Sequence, residues 1–184
     1  MTLASPSSLI RNRGYTAVEL MFTVAIAGVV MALAVPNFRD FIQNNRAAEE
    51  ANALVGALSV ARSEAVTRGI PVSVCSSTDG LICADSDDWT TGWIVFTDAN
   101  GDPGTVDDDA DPAIADTVLR VMPALRTGSD LAADVNFVSY AASGFLATPG
   151  ATFDLDIAEC TGNHNRTITV NLQGRPAVAR AVCD

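Results

Sequence analysis

The chain has 184 residues and a strongly acidic composition. Asp and Glu number 22 against 11 basic residues, all of them Arg, and the formal net charge is −11. A surface of this charge repels phosphate backbones, so general nucleic-acid binding is disfavoured. The length suits one long helix and one domain that is large enough to bury a core.

The N-terminal part contains an apolar run, residues 15–35, that is long enough to cross a membrane. Its 21 residues make a helix of about 30 Å at roughly 1.5 Å per residue, which matches the hydrocarbon thickness of a bilayer. Arg11 and Arg13 precede the run without any upstream acidic residue, so the positive-inside bias predicts a cytoplasmic N-terminus. No small-residue cleavage site follows Val35, and we expect the segment to be retained. The chain after Pro36 is therefore expected to be exported.

Glu19 is the one charged residue inside this run. A carboxylate is costly in the hydrocarbon region unless it has a partner or a function. One hypothesis is that Glu19 pairs with an amino group of a neighbouring subunit and thereby sets the register of packed helices. The alternative is a Glu that reaches the interface near the end of a generic anchor.

A second helical pattern follows, because apolar residues recur at three- and four-residue steps from Asn37 to Arg68. Gly69 is a suitable C-terminal cap and Pro71 prevents continuation, so the helix is predicted to end near Arg68. Pro36 lies inside the combined pattern and is predicted to kink or loosen it, because proline removes a backbone hydrogen bond.

The chain after Gly69 reads as short strands between turn residues, which predicts an α+β protein. Apolar and polar residues alternate in the run before the turn at Gln173-Gly174, and a further run returns after it. The last two runs are therefore predicted to form an antiparallel hairpin. The seven predicted strands are Val72–Cys75, Trp93–Thr97, Val118–Met122, Val135–Val138, Thr152–Ile157, Thr167–Leu172 and Ala177–Val182.

Four cysteines lie in the part that is expected to be exported, where disulfides form and persist. They permit three pairings, of which we favour Cys75 with Cys83 and Cys160 with Cys183. The first would close a small loop before Trp89, and the second would tie the last strand to the loop before its hairpin partner. Metal binding is the weaker interpretation, because no two cysteines have the tight spacing of a zinc site.

An acidic stretch between two predicted strands, residues 98–111, offers oxygen atoms of the kind that Ca²⁺ prefers. The candidate ligands are Asp98, Asn100 and Asp102. Compared with an EF-hand loop, Pro103 replaces the glycine of the sharp turn and Asp109 replaces the terminal Glu. We favour a solvated loop, with calcium as the alternative, and expect no other cofactor.

No pattern indicates an enzyme. The only histidine, His164, lies in a predicted polar turn. No glycine-bounded nucleophile, phosphate loop or zinc spacing accompanies it.

The N-terminal motif resembles the class III leader of type IV pilins and of type II secretion pseudopilins. It consists of Gly14, an aromatic residue, Thr16, Glu19 five positions after the glycine, an apolar helix and Pro36. The resemblance implies that a prepilin peptidase cuts after Gly14 and methylates the new amine on Tyr15. Phe is commoner than Tyr at that position. Glu19 would then pair with the Tyr15 amine of another subunit.

The rest of the chain resembles the GspH/FimT (FimU-like) branch of this superfamily. The matching stretches are Leu58–Ala65, Gly92–Asp102, Val118–Arg120 and Gly174-Arg175. The resemblance implies the pilin fold, with a helix packed on an antiparallel β-rich domain. The predicted organisation is a leader at 1–14, a membrane-spanning segment at 15–35, an amphipathic helix at 36–69 and a periplasmic or extracellular domain at 70–184.

The function that the resemblance favours is a minor type IV pilin in the complex that primes assembly and lies at the pilus tip. Its expected partners are other minor and major pilins, the prepilin peptidase and the inner membrane. The protein is expected to lie first in the inner membrane and then in the pilus at the cell surface. A GspH-type minor pseudopilin of type II secretion is the first alternative. The second is a FimT-like DNA-binding pilin that uses a Gly-Arg-x-Arg element. Here that element reads Gly174, Arg175, Pro176 and Ala177, so Arg180 is the nearest substitute for the second arginine.

Overall fold

The computed structural model describes residues 15–107 and 115–183, with backbone alone at positions 33 and 35–37. The chain divides into two units, Met1–Arg39 and Asp40–Asp184. One helix, α1, runs from Ala17 to Arg68, and its backbone stays helical through position 36. The predicted helix end at Arg68 is confirmed. Gly69 follows with φ at +71° and donates its amide N–H to the Ala65 carbonyl at 3.0 Å.

The second unit contains two four-stranded antiparallel sheets that follow the helix, so the α+β class is confirmed. The first sheet has the order β3-β2-β1-β5 and the second has the order β4-β6-β7-β8. The strands are β1 Val72–Ser76, β2 Trp93–Thr97, β3 Val118–Met122, β4 Ser129–Ala133, β5 Phe137–Tyr140, β6 Ala151–Ile157, β7 Asn165–Val170 and β8 Pro176–Ala181.

The core of this unit is formed by one face of the helix and the inner faces of the sheets. The helix contributes two leucines, Leu54 and Leu58, and five alanines to this core. The small alanine side chains let the strands approach the helix closely. The alanines are Ala47, Ala51, Ala57, Ala61 and Ala65. Trp89 and Phe153 are fully buried, and their rings meet edge to face with centroids 4.9 Å apart. Every buried residue of the main core lies between residues 47 and 170. Residues 40–184 therefore carry a complete core of their own.

Three strand predictions need correction. β7 runs from Asn165 to Val170 rather than from Thr167 to Leu172, because Asn171 belongs to the turn and accepts hydrogen bonds from the Gly174 and Arg175 amides. β4 was not predicted, because Ser, Asp and Ala have low strand propensity, and the strand exists through its pairing with β6. β5 begins at Phe137 rather than Val135, because the Val135 carbonyl accepts a hydrogen bond from Trp89 Nε1 at 3.1 Å instead of joining the sheet. The predicted C-terminal hairpin is confirmed, since β7 pairs antiparallel with β8.

Candidate functional site

The start of the helix holds the first candidate residues. Gly14 lies outside the described residues, whereas Tyr15 is described and is 87% exposed. Thr16 Oγ1 accepts a hydrogen bond from the Glu19 amide at 3.2 Å, and Glu19 Oε2 accepts one from the Thr16 amide at 3.5 Å. This reciprocal pair is a capping box, which satisfies two amide groups that the first helical turn leaves without partners. Glu19 therefore has a local role in the isolated chain.

The Thr-x-x-Glu spacing in front of an apolar run is a known signal for a capping box, and the sequence interpretation above missed it. The side chains of the first helical unit are largely exposed, with Leu20, Met21, Phe22 and Met31 each more than 60% accessible. Such apolar surface is unusual on a soluble chain and requires a partner or an apolar phase.

None of the helices in the described part of the chain is both long enough and apolar enough to cross a membrane. The span at residues 15–35 stays a prediction. The same holds for the kink at Pro36, whose side chain is not described.

Both disulfides that the sequence favoured are present in the structure. Cys75 and Cys83 are joined with a Cα–Cα distance of 5.6 Å, and Cys160 and Cys183 with one of 5.7 Å. The first closes a loop at the end of β1. The second ties the segment after β8 to the turn between β6 and β7, where the Cys183 amide also donates to the Gly162 carbonyl at 2.9 Å. Both links restrict the unfolded chain and fix loops that no strand pairing holds.

The candidate calcium ligands do not share one arrangement. Asp98 is 1% exposed, and its Oδ2 accepts a hydrogen bond from Ser73 Oγ at 3.0 Å. Burial raises the pKa of Asp98, and the Asp116 carboxylate adds to that rise. Asn100 donates from Nδ2 to Asp107 Oδ2 at 2.6 Å, and its Oδ1 accepts the Asp102 amide at 3.2 Å.

Asn100 is thus engaged in local bonds, whereas Asp98 Oδ1 is buried without a hydrogen-bond partner among the described residues. Within 15–107 and 115–183, no three His, Cys, Asp or Glu side chains form a group that could hold a metal ion. Asp108, Asp109 and Asp111 lie outside the described residues, so calcium binding by the complete stretch stays a hypothesis.

The two arginines of the DNA-binding hypothesis lie on opposite faces of β8. Arg175 lines a shallow depression of about 220 Å³ together with Thr152, Thr169 and Ala177. Arg180 stands opposite Arg166 in the register of the hairpin. Because side chains alternate along a strand, Arg180 is on the same face as Val178 and away from Ala177.

The contacts of Arg166 show that the face with Arg180 is turned toward the helix. Its Nη2 donates to Asn44 Oδ1 of the helix at 2.7 Å, and burial, followed by the nearby Arg180 charge, lowers its pKa. Arg180 therefore lies on the helix side of the sheet. It cannot replace the missing second arginine beside Arg175, and the position that could do so is Ala177.

Gly174 has a packing reason that is independent of any ligand. Its φ is +73°, and a Cβ atom there would lie 2.6 Å from the Gly144 carbonyl oxygen and 2.9 Å from Tyr140 Cε1. Only glycine fits this turn. The glycine of the Gly-Arg pair in the family resemblance is thus required by the geometry of the hairpin turn.

We expect the isolated domain, residues 40–184, to bind duplex DNA weakly at physiological salt, because the chain is acidic and the two arginines do not converge. Titration of labelled DNA at several salt concentrations measures this. Ala177→Arg is a matched gain-of-function variant, since it restores the second arginine on the face of Arg175, and it should strengthen binding. Wild-type binding at about 1 µM or tighter that is lost with Arg175→Ala or Arg180→Ala would contradict this expectation.

The sequence interpretation missed an ion pair within the helix, Arg46 with Glu50, whose members also bond to residues at the start of the second sheet. Glu50 is 6% exposed, and it accepts hydrogen bonds from Arg46 Nε at 3.2 Å and from Ser129 Oγ at 2.5 Å. Arg46 also donates from Nη2 to the carbonyl of Thr127 at 2.8 Å. The available signal was Glu50 itself, a charged residue on the apolar stripe of the helix. A charge in that position needs a partner across the core.

These features define the class of protein: a pilin-like subunit, with a long N-terminal helix, an exposed apolar first part and a second part packed on antiparallel sheets. The model of the family described as "Type II transport protein GspH" matches residues 50–174, which is more than half of the chain. The chain therefore belongs to the GspH family, as the sequence resemblance indicated.

Individual relatives agree with this assignment. The type IV major pilin protein PilA of Myxococcus xanthus (strain DK1622) is 49% identical over 39 residues, which are 21% of this chain and 18% of that protein. The chain thus spans about a fifth of the length of that relative.

Two solved structures are similar in fold. The type IV minor pilin FimU of Pseudomonas aeruginosa PAO1 has a TM-score of 0.55 and 22% identity, over 76% of this chain and 92% of that one. The minor pseudopilin EpsH of Vibrio cholerae has a TM-score of 0.47 and 15% identity, over 73% and 97%. At sequence identities this low, the similarity is evidence for the fold alone. The assignment to the GspH family therefore rests on the family match.

Proposed function

We propose that this chain is a minor subunit of a type IV pilus, built into the complex that primes assembly and lies at the tip. The observation that carries the proposal is the exposed apolar side of residues 18–31, where Val24, Ile26 and Val29 are all more than 60% accessible. An apolar helix without its own cover fits a bilayer before assembly and the helices of other pilins afterwards. The separate core of residues 40–184 fits an exported domain.

The finer steps follow from the same arrangement. A prepilin peptidase removes residues 1–14, and Tyr15 becomes the methylated N-terminus. The helix then anchors the protein in the inner membrane with residues 40–184 in the periplasm, and other minor and major pilins are its partners. Its role is structural and not enzymatic, and it needs no cofactor. The short match to a type IV major pilin supports a pilus, and the family description "Type II transport protein GspH" keeps type II secretion as the alternative.

Deletion of the gene tests this proposal against the secretion alternative. We expect fewer surface pili and reduced twitching, with type II secretion intact, and we expect the full chain in the filament fraction that shearing releases. Complementation with the wild-type gene is the control. Normal pili together with retention of secreted enzymes in the periplasm would instead make the chain a minor pseudopilin.

A further inference from the structure

The loop closed by Cys75 and Cys83 is held by hydrogen bonds within it as well as by the disulfide. Ser77 Oγ donates to the Ile82 carbonyl at 2.7 Å. Asp79 Oδ1 accepts the amide groups of Leu81 at 2.8 Å and Ile82 at 3.1 Å. These two amide groups lower the pKa of Asp79, since they donate to its charged form. The backbone polar groups near the tip are thus satisfied inside the loop.

The side chains at the tip of this loop face solvent and are aliphatic. Leu81 is 66% exposed and Ile82 is 57% exposed. Gly80 lies directly before them and against β3, since a Cβ on Gly80 would be 2.8 Å from Val121 Cγ1. Val121 is itself 52% exposed. We name Leu81, Ile82 and Val121 the loop patch.

The loop patch adjoins an open sheet edge, because β3 is the outermost strand of the first sheet. Exposed aliphatic side chains on such an edge favour association, and native chains usually protect edges of this kind. A rigid loop also loses little conformational entropy when it binds, which makes it an efficient anchor. The disulfide and the Asp79 bonds therefore prepare the patch for contact.

The acidic character of the segment that carries Leu81 and Ile82 restricts the partner of the loop patch. Residues 69–92 contain four exposed aspartates and no basic residue. The aspartates are Asp79, Asp85, Asp87 and Asp88. Arg120 is next to Val121 on β3, but alternation along the strand directs it to the other face. If two copies met through the loop patch, the aspartates of one copy would face those of the other and would repel them. Anionic lipid would be repelled in the same way.

We propose that the loop patch is a docking point that inserts Leu81 and Ile82 into an apolar cleft, rimmed by Lys or Arg, on a different pilin subunit of the same assembly. This inference rests on the proposed function for the class of its partner. The aliphatic tips supply the buried anchor, and the aspartates align with the basic rim.

Site-specific photo-crosslinking of the full chain in its own bacterium is the first test. p-Benzoylphenylalanine is incorporated at position 81, and at position 172 as a control, because Leu172 is 58% exposed on another part of the surface. We expect one discrete product with another pilin subunit from position 81 and none from position 172. A self-dimer, a lipid adduct or no product from position 81 would overturn the proposal.

Binding between purified domains is the second test, with residues 40–184 and the corresponding domain of the crosslinked subunit. Leu81→Ser with Ile82→Ser should weaken binding by roughly tenfold or more, while Val182→Ser, at a site that is 68% exposed, should not. Asp85→Asn with Asp87→Asn should slow association at low salt and have little effect at high salt. Thermal unfolding of each variant verifies that it is folded. Unchanged affinity of the Leu81/Ile82 variant would overturn the proposal.

The two failures are distinguishable. If the chain is absent from both pilus and pseudopilus, the proposed function fails. If the Leu81/Ile82 variant of the full chain enters the filament and position 81 forms no product with another subunit, only the docking inference fails.

Discussion

Glu19→Ala is expected to leave a protein that is cleaved and inserted but is absent from the filament. The apolar surface that favours the membrane remains, whereas the carboxylate proposed to pair with the Tyr15 amine of a neighbour is lost. An uncompensated amine in an apolar contact is strongly unfavourable. Immunoblots of the sheared filament fraction and of the membrane fraction measure the distribution, and a reduction of the filament signal to background is expected.

Two further variants separate this role from the capping box of Glu19 with Thr16. Glu19→Gln keeps a side-chain acceptor for the Thr16 amide but removes the charge. It should fail as Glu19→Ala does. Thr16→Ala removes the other half of the cap, at about 0.5–2 kcal/mol of local helix stability, but keeps the charge, and it should assemble. Normal assembly of Glu19→Gln would show that Glu19 acts only as a helix cap.

Trp89→Ala should cause a large loss of stability in the domain of residues 40–184. Trp89 is fully buried, its ring meets that of Phe153, and its Nε1 donates to the Val135 carbonyl. Removal of the ring leaves a cavity and an unpaired carbonyl, at a cost of about 3–5 kcal/mol. Urea unfolding of residues 40–184 with both disulfides intact measures the free energy of unfolding.

The matched control is Leu172→Ala, whose side chain is 58% exposed. Its free energy of unfolding should stay within about 0.5 kcal/mol of the wild type. A loss below about 1 kcal/mol for Trp89→Ala would show that the core around this ring is not packed as described.

The parts of the fold that the sequence predicted are those with strong local signals. The end of the helix at Arg68 depends on Gly69, which adopts a positive φ, and on Pro71 two residues later. The C-terminal hairpin depends on a run of alternating residues and on the turn at Gly174. In each case the local preference of the chain and its tertiary environment agree.

Other parts are set by contacts between distant segments. β4 has a sequence of low strand propensity, and it forms because Ser129 bonds to Glu50 of the helix and because its backbone pairs with β6. Arg175 and Arg180 lie on opposite faces because they are five residues apart along one extended segment, and the register of the hairpin decides which of the two faces is turned to the helix. The odd spacing of the two arginines could have predicted this separation from the sequence, whereas the face that is turned to the helix could not be predicted.

At the helix start, the roles of Gly14 and Glu19 in processing and assembly stay predictions, and the capping box was not predicted. The motif from Gly14 to Glu19 indicated processing and assembly, but it concealed a second role, because the Thr-x-x-Glu spacing serves both a capping box and the pilin motif. The loop patch gave no sequence signal beyond two neighbouring aliphatic residues. Its order comes from Ser77, Asp79 and the disulfide acting together in space.

The N-terminal residue of the mature protein tests the central claim most directly. The full chain is recovered from the membrane and filament fractions of its own bacterium, and the N-terminal peptide is identified by mass spectrometry. We predict a chain that begins at Tyr15 with a methylated amine, which is the state that Glu19 of a neighbouring subunit would meet. An intact N-terminus at Met1 in the filament fraction, or any N-terminus beyond Thr16, would contradict the assignment of this chain as a processed pilin.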